Sequence, residues 1–294
     1  MAGPLLVIGY LAVLAFIVSS MLVMGLNITI GDLFSPLKNK RLVIFTLLAN
    51  FVVVPLFAFI LIYIFPVSKE MAAGLILVSI AAGAPSTPKV AEFTGGNIAY
   101  AVSMTVLMTV VTIVLMPFLL PYLMEGVHMD PTKVAVNLVV LILIPIIAGI
   151  FIRDKVPVTA KKFLKVMELV SNASIGLIFL SFGIIFLANL KELFGGTAGL
   201  YMAAVAILFT IGALLIGYAM GGPSRETRGV LAFGTGFRNV TAALVVITAT
   251  FSDPGNEVLL MVLMVTIFSV IIVSAIVGII LKKRMTAEKL AQGS

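Results

Sequence analysis

Nine apolar stretches of about 20 residues each divide this chain, and they constrain its fold more than any other feature. They cover residues 4–26, 42–65, 71–96, 98–124, 133–153, 165–190, 197–220, 228–250 and 257–281. A helix rises about 1.5 Å per residue, so each stretch can cross the roughly 30 Å hydrocarbon core of a bilayer. The strands of a membrane β-barrel would be shorter and would alternate in polarity. The pattern therefore predicts an all-α polytopic membrane protein with nine transmembrane helices.

Composition agrees with a membrane-embedded chain that has little soluble mass. Hydrophobic residues make up 62% of the 294 positions and only 11% are charged, whereas a soluble domain is about half apolar and a quarter charged. The absence of cysteine excludes structural disulfides and thiolate metal sites. The sequence has no P-loop, HExxH or GxSxG motif, so we do not expect an enzyme.

The distribution of lysine and arginine predicts which helix ends face the cytoplasm. With the N-terminus outside, the inner loops contain fourteen basic residues and the outer loops three. The inner set is Lys38, Lys40, Arg41, Arg153, Lys155, Lys161, Lys162, Lys165, Arg225, Arg228, Lys282, Lys283, Arg284 and Lys289, and the outer set is Lys69, Lys133 and Lys191. Because basic residues concentrate in cytoplasmic loops, we predict a multi-pass protein of the cell (inner) membrane with a cytoplasmic C-terminus. The same asymmetry explains the net charge of +7 without a nucleic-acid partner.

Two of the predicted spans contain residues that break helices. Span 71–96 contains AGAPSTPKVAEFTGGN, in which Pro85 and Pro88 remove two amide donors and clash with the preceding turn. Span 228–250 contains glycines at positions 229, 234 and 236, just before Arg238. The breaks are about 150 residues apart, and interrupted spans in corresponding positions of two halves are typical of inverted-repeat transporters.

Charged residues inside these two spans leave alternatives open. Arg238 lies ten residues after Arg228, or about 15 Å of helical rise, near the midplane. It either pairs internally to hold helices together or faces a cavity and binds an organic carboxylate or sulfonate. Lys89 and Glu92 are close enough to the cytoplasmic end to snorkel, and their spacing allows a mutual ion pair. A role for Glu92 as a proton carrier stays an open alternative.

At these residues the chain resembles the bile acid:sodium symporter family. The patterns that carry the resemblance are MGLNITIGDL (24–33), GAPSTPKVAEFTGGNIAYAVSMT (83–105) and GFRN (236–239). The resemblance implies two crossing broken helices within an inverted repeat, whose first half lacks its first helix in a nine-span member.

The resemblance also implies how the spans group into domains. A core would comprise residues of about 42–124 and 197–281, and a panel would comprise about 4–26 and 133–190. An organic anion would bind in the cavity between them. The implied partners are therefore the lipid bilayer and a small or amphipathic organic anion.

Candidate site residues follow from matching the family's sodium ligands position by position. The implied ion sites correspond to Asn50, Thr87, Pro88, Ala101, Thr105, Gly234, Thr235, Phe237 and Arg238. Gly234 stands where the family has a glutamate shared by its two sodium sites, and Arg238 stands where it has a glutamine. Pro88 and Ala101 stand in place of polar ligands. Because hard cations prefer oxygen ligands, these changes predict that sodium binding is weak or absent, and no other cofactor is expected. The candidates for substrate binding are Arg238, Asn239, Thr87, Pro88 and Ser269.

These features together predict a secondary transporter of a small or amphipathic organic anion that works by alternating access. Arg238 would partly substitute for a sodium ion, so that coupling to sodium is weakened or lost. An uncoupled or proton-linked anion carrier on the same fold is the first alternative, and a channel or membrane-embedded sensor is the second. Asn239, Thr87 and Thr105 could equally be polar contacts that hold helices together.

Overall fold

Helices are the regular secondary structure throughout the computed structural model, which describes residues 2–29, 31, 39–123, 129–188, 197–251 and 257–292. Within these residues, eight helical segments are long and apolar enough to cross a membrane. The predicted class of an all-helical, multi-pass membrane protein is therefore confirmed. Lys38, Lys191 and the ends of some predicted spans lie outside the described residues.

The helices follow the predicted spans, except that two of the spans are each divided into two helices. In chain order they are α1 (Ala2–Asn27), α2 (Lys40–Ile64), α3 (Lys69–Ile80), α4 (Thr87–Thr94), α5 (Ile98–Leu123), α6 (Pro131–Lys155), α7 (Pro157–Ala188), α8 (Thr197–Met220), α9 (Arg225–Gly236), α10 (Val240–Thr250) and α11 (Glu257–Gln292). Predicted span 228–250 forms α9 and α10, which together are long enough to cross. Predicted span 71–96 forms the two short helices α3 and α4 of 12 and 8 residues. Neither is long enough to cross alone, which is why eight spanning segments are found where nine were predicted.

Two of the long helices widen locally just before a proline. In α2 the turn Ala49–Val53 is π-helical and precedes Pro55, and in α6 the turn Val139–Leu143 precedes Pro145. Proline has no N–H to donate to the preceding turn, and a wider turn accommodates the missing hydrogen bond. The turn in α2 carries Asn50, whose side chain is completely buried.

The break between α3 and α4 is stabilised by threonines of α5. Thr112 accepts a hydrogen bond from the Ala82 amide at 3.1 Å, and Thr109 donates to the Gly83 carbonyl at 3.0 Å. Gly83 has a φ of +89°, and a Cβ there would meet the Thr105 carbonyl at 2.8 Å. Glycine is therefore required for both conformation and close packing. Inside a bilayer, side-chain hydroxyls of a neighbouring helix commonly form hydrogen bonds with the backbone groups that a helix break leaves unpaired.

The second break lies after its glycines rather than among them, because Gly229 and Gly234 are both within α9. Asn239 is the N-cap of α10, and its Oδ1 accepts a hydrogen bond from the Ala242 amide at 3.1 Å. The backbone amide of Asn239 donates to the Ala81 carbonyl in the first break at 2.8 Å. The two interrupted segments therefore contact each other directly at their breaks.

The helices around these breaks pack in two sets of neighbours. α1 packs against α6 and α7, while α8 packs against α9 and α11. α10 contacts both α1 and α6, and the hydroxyls of Ser20 on α1 and Thr241 on α10 lie 3.2 Å apart. The second half of the interrupted segment thus lies where the two sets meet.

Candidate functional site

Arg238 lies at the second break and is almost fully buried, with 7% of its surface exposed. Its guanidinium donates to the carbonyls of Val78 (3.1 Å), Ser79 (2.5 Å) and Thr235 (3.2 Å) and to Oδ1 of Asn50 (2.7 Å). We refer to these four acceptors as the oxygen cage. Among the described residues, the ion pairs that form involve other side chains, so oxygen dipoles hold this arginine in place of a carboxylate.

The oxygen cage draws on the C-terminal end of a half-helix. α3 ends at Ile80, so the carbonyls of Val78 and Ser79 belong to its last turn. The last four carbonyls of a helix have no partner in the next turn, and the helix dipole places partial negative charge there. The guanidinium therefore supplies a donor to the Ser79 carbonyl and a second donor to the Val78 carbonyl, which also accepts from the Ala81 amide at 3.1 Å. Its charge complements the dipole.

Asn50 fixes the geometry of the cage from the opposite side. Its Nδ2 donates to the Thr46 carbonyl at 3.0 Å and to Oγ1 of Thr235 at 3.2 Å, which leaves Oδ1 to accept from Arg238. The hydroxyl of Thr46 in turn lies 2.8 Å from that of Tyr100. The π-helical turn of α2 thus positions the Asn50 side chain so that its Nδ2 donates hydrogen bonds and its Oδ1 accepts one.

Of the other predicted ion-site residues, Thr87 lies beside Gly234 and Met104. Thr87 is fully buried, and its Oγ1 has no hydrogen-bond partner. Thr105 donates to the Ala101 carbonyl within its own helix at 2.8 Å. A Cβ added to Gly234 would lie 3.1 Å from Cγ2 of Thr87 and would collide with the methyl group of Met104. A thioether therefore occupies the space beside Gly234 into which a longer side chain would point.

Met104 is the contact that sequence reasoning missed. A methionine in an apolar span is usually packing material, and its flexible thioether fills irregular gaps. Its contact with Gly234 can be recognised only once α5 is packed against α9, because the two helices approach each other at that glycine.

Two candidates for substrate binding are buried and bonded within the protein. Asn239 is completely buried; its Oδ1 caps α10, and its Nδ2 has no partner. Ser269 on α11 is 2% exposed; it donates to the Gly236 carbonyl at 3.2 Å and lies 3.2 Å from the Thr210 hydroxyl. Ser269 thus connects α11 to the second break. In this conformation its side chain is buried, so a substrate could not contact it.

The remaining candidates contribute shape rather than polar contacts. Phe237 packs against an apolar cluster of Leu214, Phe233 and Val273. Pro88 is the second residue of α4 and is partly exposed. The structure therefore joins Asn50, Thr235 and Arg238 in one bonded network and leaves Phe237 and Pro88 outside it.

The predicted pair of Lys89 and Glu92 on α4 is confirmed. Nζ of Lys89 lies 2.7 Å from Oε2 of Glu92, and the two side chains are 62% and 54% exposed. The same ammonium lies 5.0 Å from the centre of the Phe93 ring, a distance suited to a cation–π contact.

Comparison with known proteins gives two kinds of match. A model of the sodium bile acid symporter family matches residues 13–195, a range that includes Asn50 and Thr87 and ends before Arg238. The P3 protein of Bos taurus is 27% identical over 204 residues, covering 67% of this chain and 41% of that protein. The P3 protein of Homo sapiens is 26% identical over 205 residues, with the same coverage of 67% and 41%.

A third relative comes from Oryza sativa subsp. japonica and bears the name "Probable sodium/metabolite cotransporter BASS2, chloroplastic". It is 25% identical over 151 residues, covering 51% of this chain and 36% of that protein. The chain thus spans about two fifths of the length of the curated relatives it matches.

Proposed function

Because the chain belongs to the sodium bile acid symporter family, we propose that it is a secondary transporter of a small or amphipathic organic anion. Transport would proceed by alternating access, and its coupling to sodium would be weakened or absent. The observation that carries this form of the proposal is the oxygen cage, in which four oxygen atoms bind the Arg238 guanidinium. Backbone carbonyls and amide oxygens are the ligands that hard cations take in proteins.

A bound sodium ion and the guanidinium would compete for the same acceptors. Three of the four cage oxygens are main-chain carbonyls, which cannot turn away without moving the breaks. Arg238 is covalently part of the chain and always charged, so it supplies the positive charge at all times. We therefore propose that substrate moves by facilitated diffusion or is driven by another gradient, such as protons.

Within this proposal Arg238 organises the breaks rather than holding the anion itself. All three of its nitrogens already donate to protein oxygens, and its exposed fraction is 7%. Direct contact with a carboxylate would require part of the cage to open. In this internal role, Arg238 places a positive charge at the C-terminal end of α3, where the helix dipole is negative.

The proposed topology has nine crossings, with α3 and α4 together forming the third. The core would comprise residues of about 42–124 and 197–281 and the panel about 4–26 and 133–190. Support comes from the packing of α1 with α6 and α7, and of α8 with α9 and α11. With the N-terminus outside, the proposed location is the cell inner membrane.

We expect purified protein in liposomes to take up organic anions in a saturable manner with counterflow. Candidate ligands would first be selected from a panel of organic carboxylates and sulfonates, including taurocholate, by thermal stabilisation, because a ligand of the native state raises apparent stability. Empty liposomes provide the control for leakage. Flux that does not saturate would instead indicate a channel, and stabilisation without any flux would indicate a sensor.

A further inference from the structure

Apart from basic residues at the ends of the predicted spans, Lys89 and Arg238 are the two basic residues inside them. They differ in whether a ligand can reach them. Arg238 is 7% exposed and donates to four protein oxygens. Nζ of Lys89 donates to Glu92, and the lysine side chain is 62% exposed. An ammonium carries three N–H donors, so Lys89 retains donors for a second partner. Of the two intramembrane cations, Lys89 is the one whose charge is open to a ligand.

The face of α4 that carries Lys89 is suited to water rather than lipid. Its exposed side chains are Lys89, Glu92 and Phe93, and Ser86, the residue just before the helix, is exposed beside them. Most exposed side chains of the other spans are apolar, as for Ile60 on α2, Phe118 on α5 and Ile279 on α11. The polar exceptions include Glu168 and Asn172 on α7 and Ser274 on α11. Ionised side chains in contact with hydrocarbon are costly and usually face a water-filled cavity or the bundle interior. This face of α4 is therefore a candidate wall of an aqueous cavity.

We propose that Lys89 binds the anionic group of the transported molecule and that Glu92 is the internal carboxylate which that group displaces. The Phe93 ring, 46% exposed, lies beside the ammonium and offers an apolar surface to the body of the ligand. The ligand class is thus an amphipathic organic carboxylate or sulfonate, with its head on Lys89 and its apolar part on Phe93. This inference rests on the proposed function and names the contact that would recognise the substrate.

The chain has no cysteine, so an introduced thiol can report the charge of this face without background. In Ser86→Cys the thiol lies three residues before Lys89, on the same exposed face. The probes are 2-sulfonatoethyl methanethiosulfonate, a small organic sulfonate, and its cationic trimethylammonioethyl analogue. We expect both to react, and we expect Lys89→Gln to lower the sulfonate-to-ammonium rate ratio about tenfold, as for one charge within about 6 Å in water. Glu92→Gln should raise the ratio, and Lys89→Arg, the matched control, should preserve it.

Transport separates this inference from the proposed function. For an anion identified by the uptake assay, Lys89→Gln should raise KM at least tenfold while Lys89→Arg stays within about threefold, since the anion loses one charged partner. No reaction at the introduced thiol, or a rate ratio unaffected by Lys89→Gln, would overturn the inference even if uptake is saturable. A charge-dependent ratio without any uptake would retain the anion site and reject the transporter.

Discussion

Replacing Arg238 with methionine should lower the free energy of unfolding by about 4 kcal/mol or more. The change removes four hydrogen bonds and leaves Asn50 and the carbonyls of Ser79 and Thr235 short of a donor in a buried site. The Val78 carbonyl keeps its hydrogen bond from the Ala81 amide. A buried polar group that loses its partner costs about 1–3 kcal/mol, more when the lost partner is charged. Thermal unfolding of the detergent-solubilised protein, in choline chloride without sodium, measures the loss.

Arg228→Met, on the preceding helix α9, is the matched control. Arg228 is partly buried, donates from Nε to the Gly222 carbonyl at 2.7 Å and stacks near Tyr218. Its loss should cost about 1 kcal/mol, the contribution of a single hydrogen bond. Arg238→Lys should be intermediate, because a compact ammonium cannot reproduce the planar fork of a guanidinium. If Arg238→Met destabilises the protein no more than Arg228→Met, the oxygen cage does not hold the breaks together.

The second large effect is a gain of sodium binding in the variant that combines Arg238→Gln, Gly234→Glu and Met104→Ala. The first change empties the oxygen cage and supplies an amide oxygen, and the second adds a carboxylate. The third makes room, since a Cβ at Gly234 collides with the Met104 methyl group. Sodium at 100 times its Kd should then raise stability by about 2.7 kcal/mol relative to choline at equal ionic strength.

Two comparisons make this result specific. Gly234→Gln in the same background has nearly the same shape without the charge and should gain little from sodium. Arg238→Gln with Gly234→Glu alone should respond more weakly than the triple variant, because Met104 then has to move. A triple variant that unfolds identically in sodium and choline would show that these residues do not form a cation site.

The interruptions of the helices could be predicted from sequence because the residues that cause them have local effects. Pro85 and Pro88 cannot support a continuous helix, and the structure ends α3 at Ile80 and starts α4 at Thr87. The pair of Lys89 and Glu92 follows equally from three-residue spacing on one helix. In the second span the break was predicted, but its three glycines all lie inside α9. Two of them allow close packing, because a Cβ would collide with Met104 at Gly234 and with Leu214 at Gly236.

The partners of Arg238 could not be predicted, because three of the four are main-chain carbonyls. A carbonyl carries no identity in the sequence, and Val78 and Ser79 are about 160 residues away from Arg238. The same limit applies to Met104, which resembles any other apolar side chain until α5 meets α9. Ser269 shows the converse, since a serine in a span predicts polar contact but does not tell whether the partner is a ligand or, as here, the Gly236 carbonyl.

In the proposed mechanism, Arg238 occupies a position that would otherwise bind sodium. The most direct test is equilibrium binding of radioactive sodium to the purified wild-type protein without substrate, together with thermal unfolding in sodium and choline at equal ionic strength. A cation that does not bind the native state cannot raise its stability. We therefore predict no saturable sodium binding and identical unfolding in the two salts. Saturable binding of sodium, accompanied by a concentration-dependent rise in the unfolding temperature, would show that Arg238 does not replace the ion.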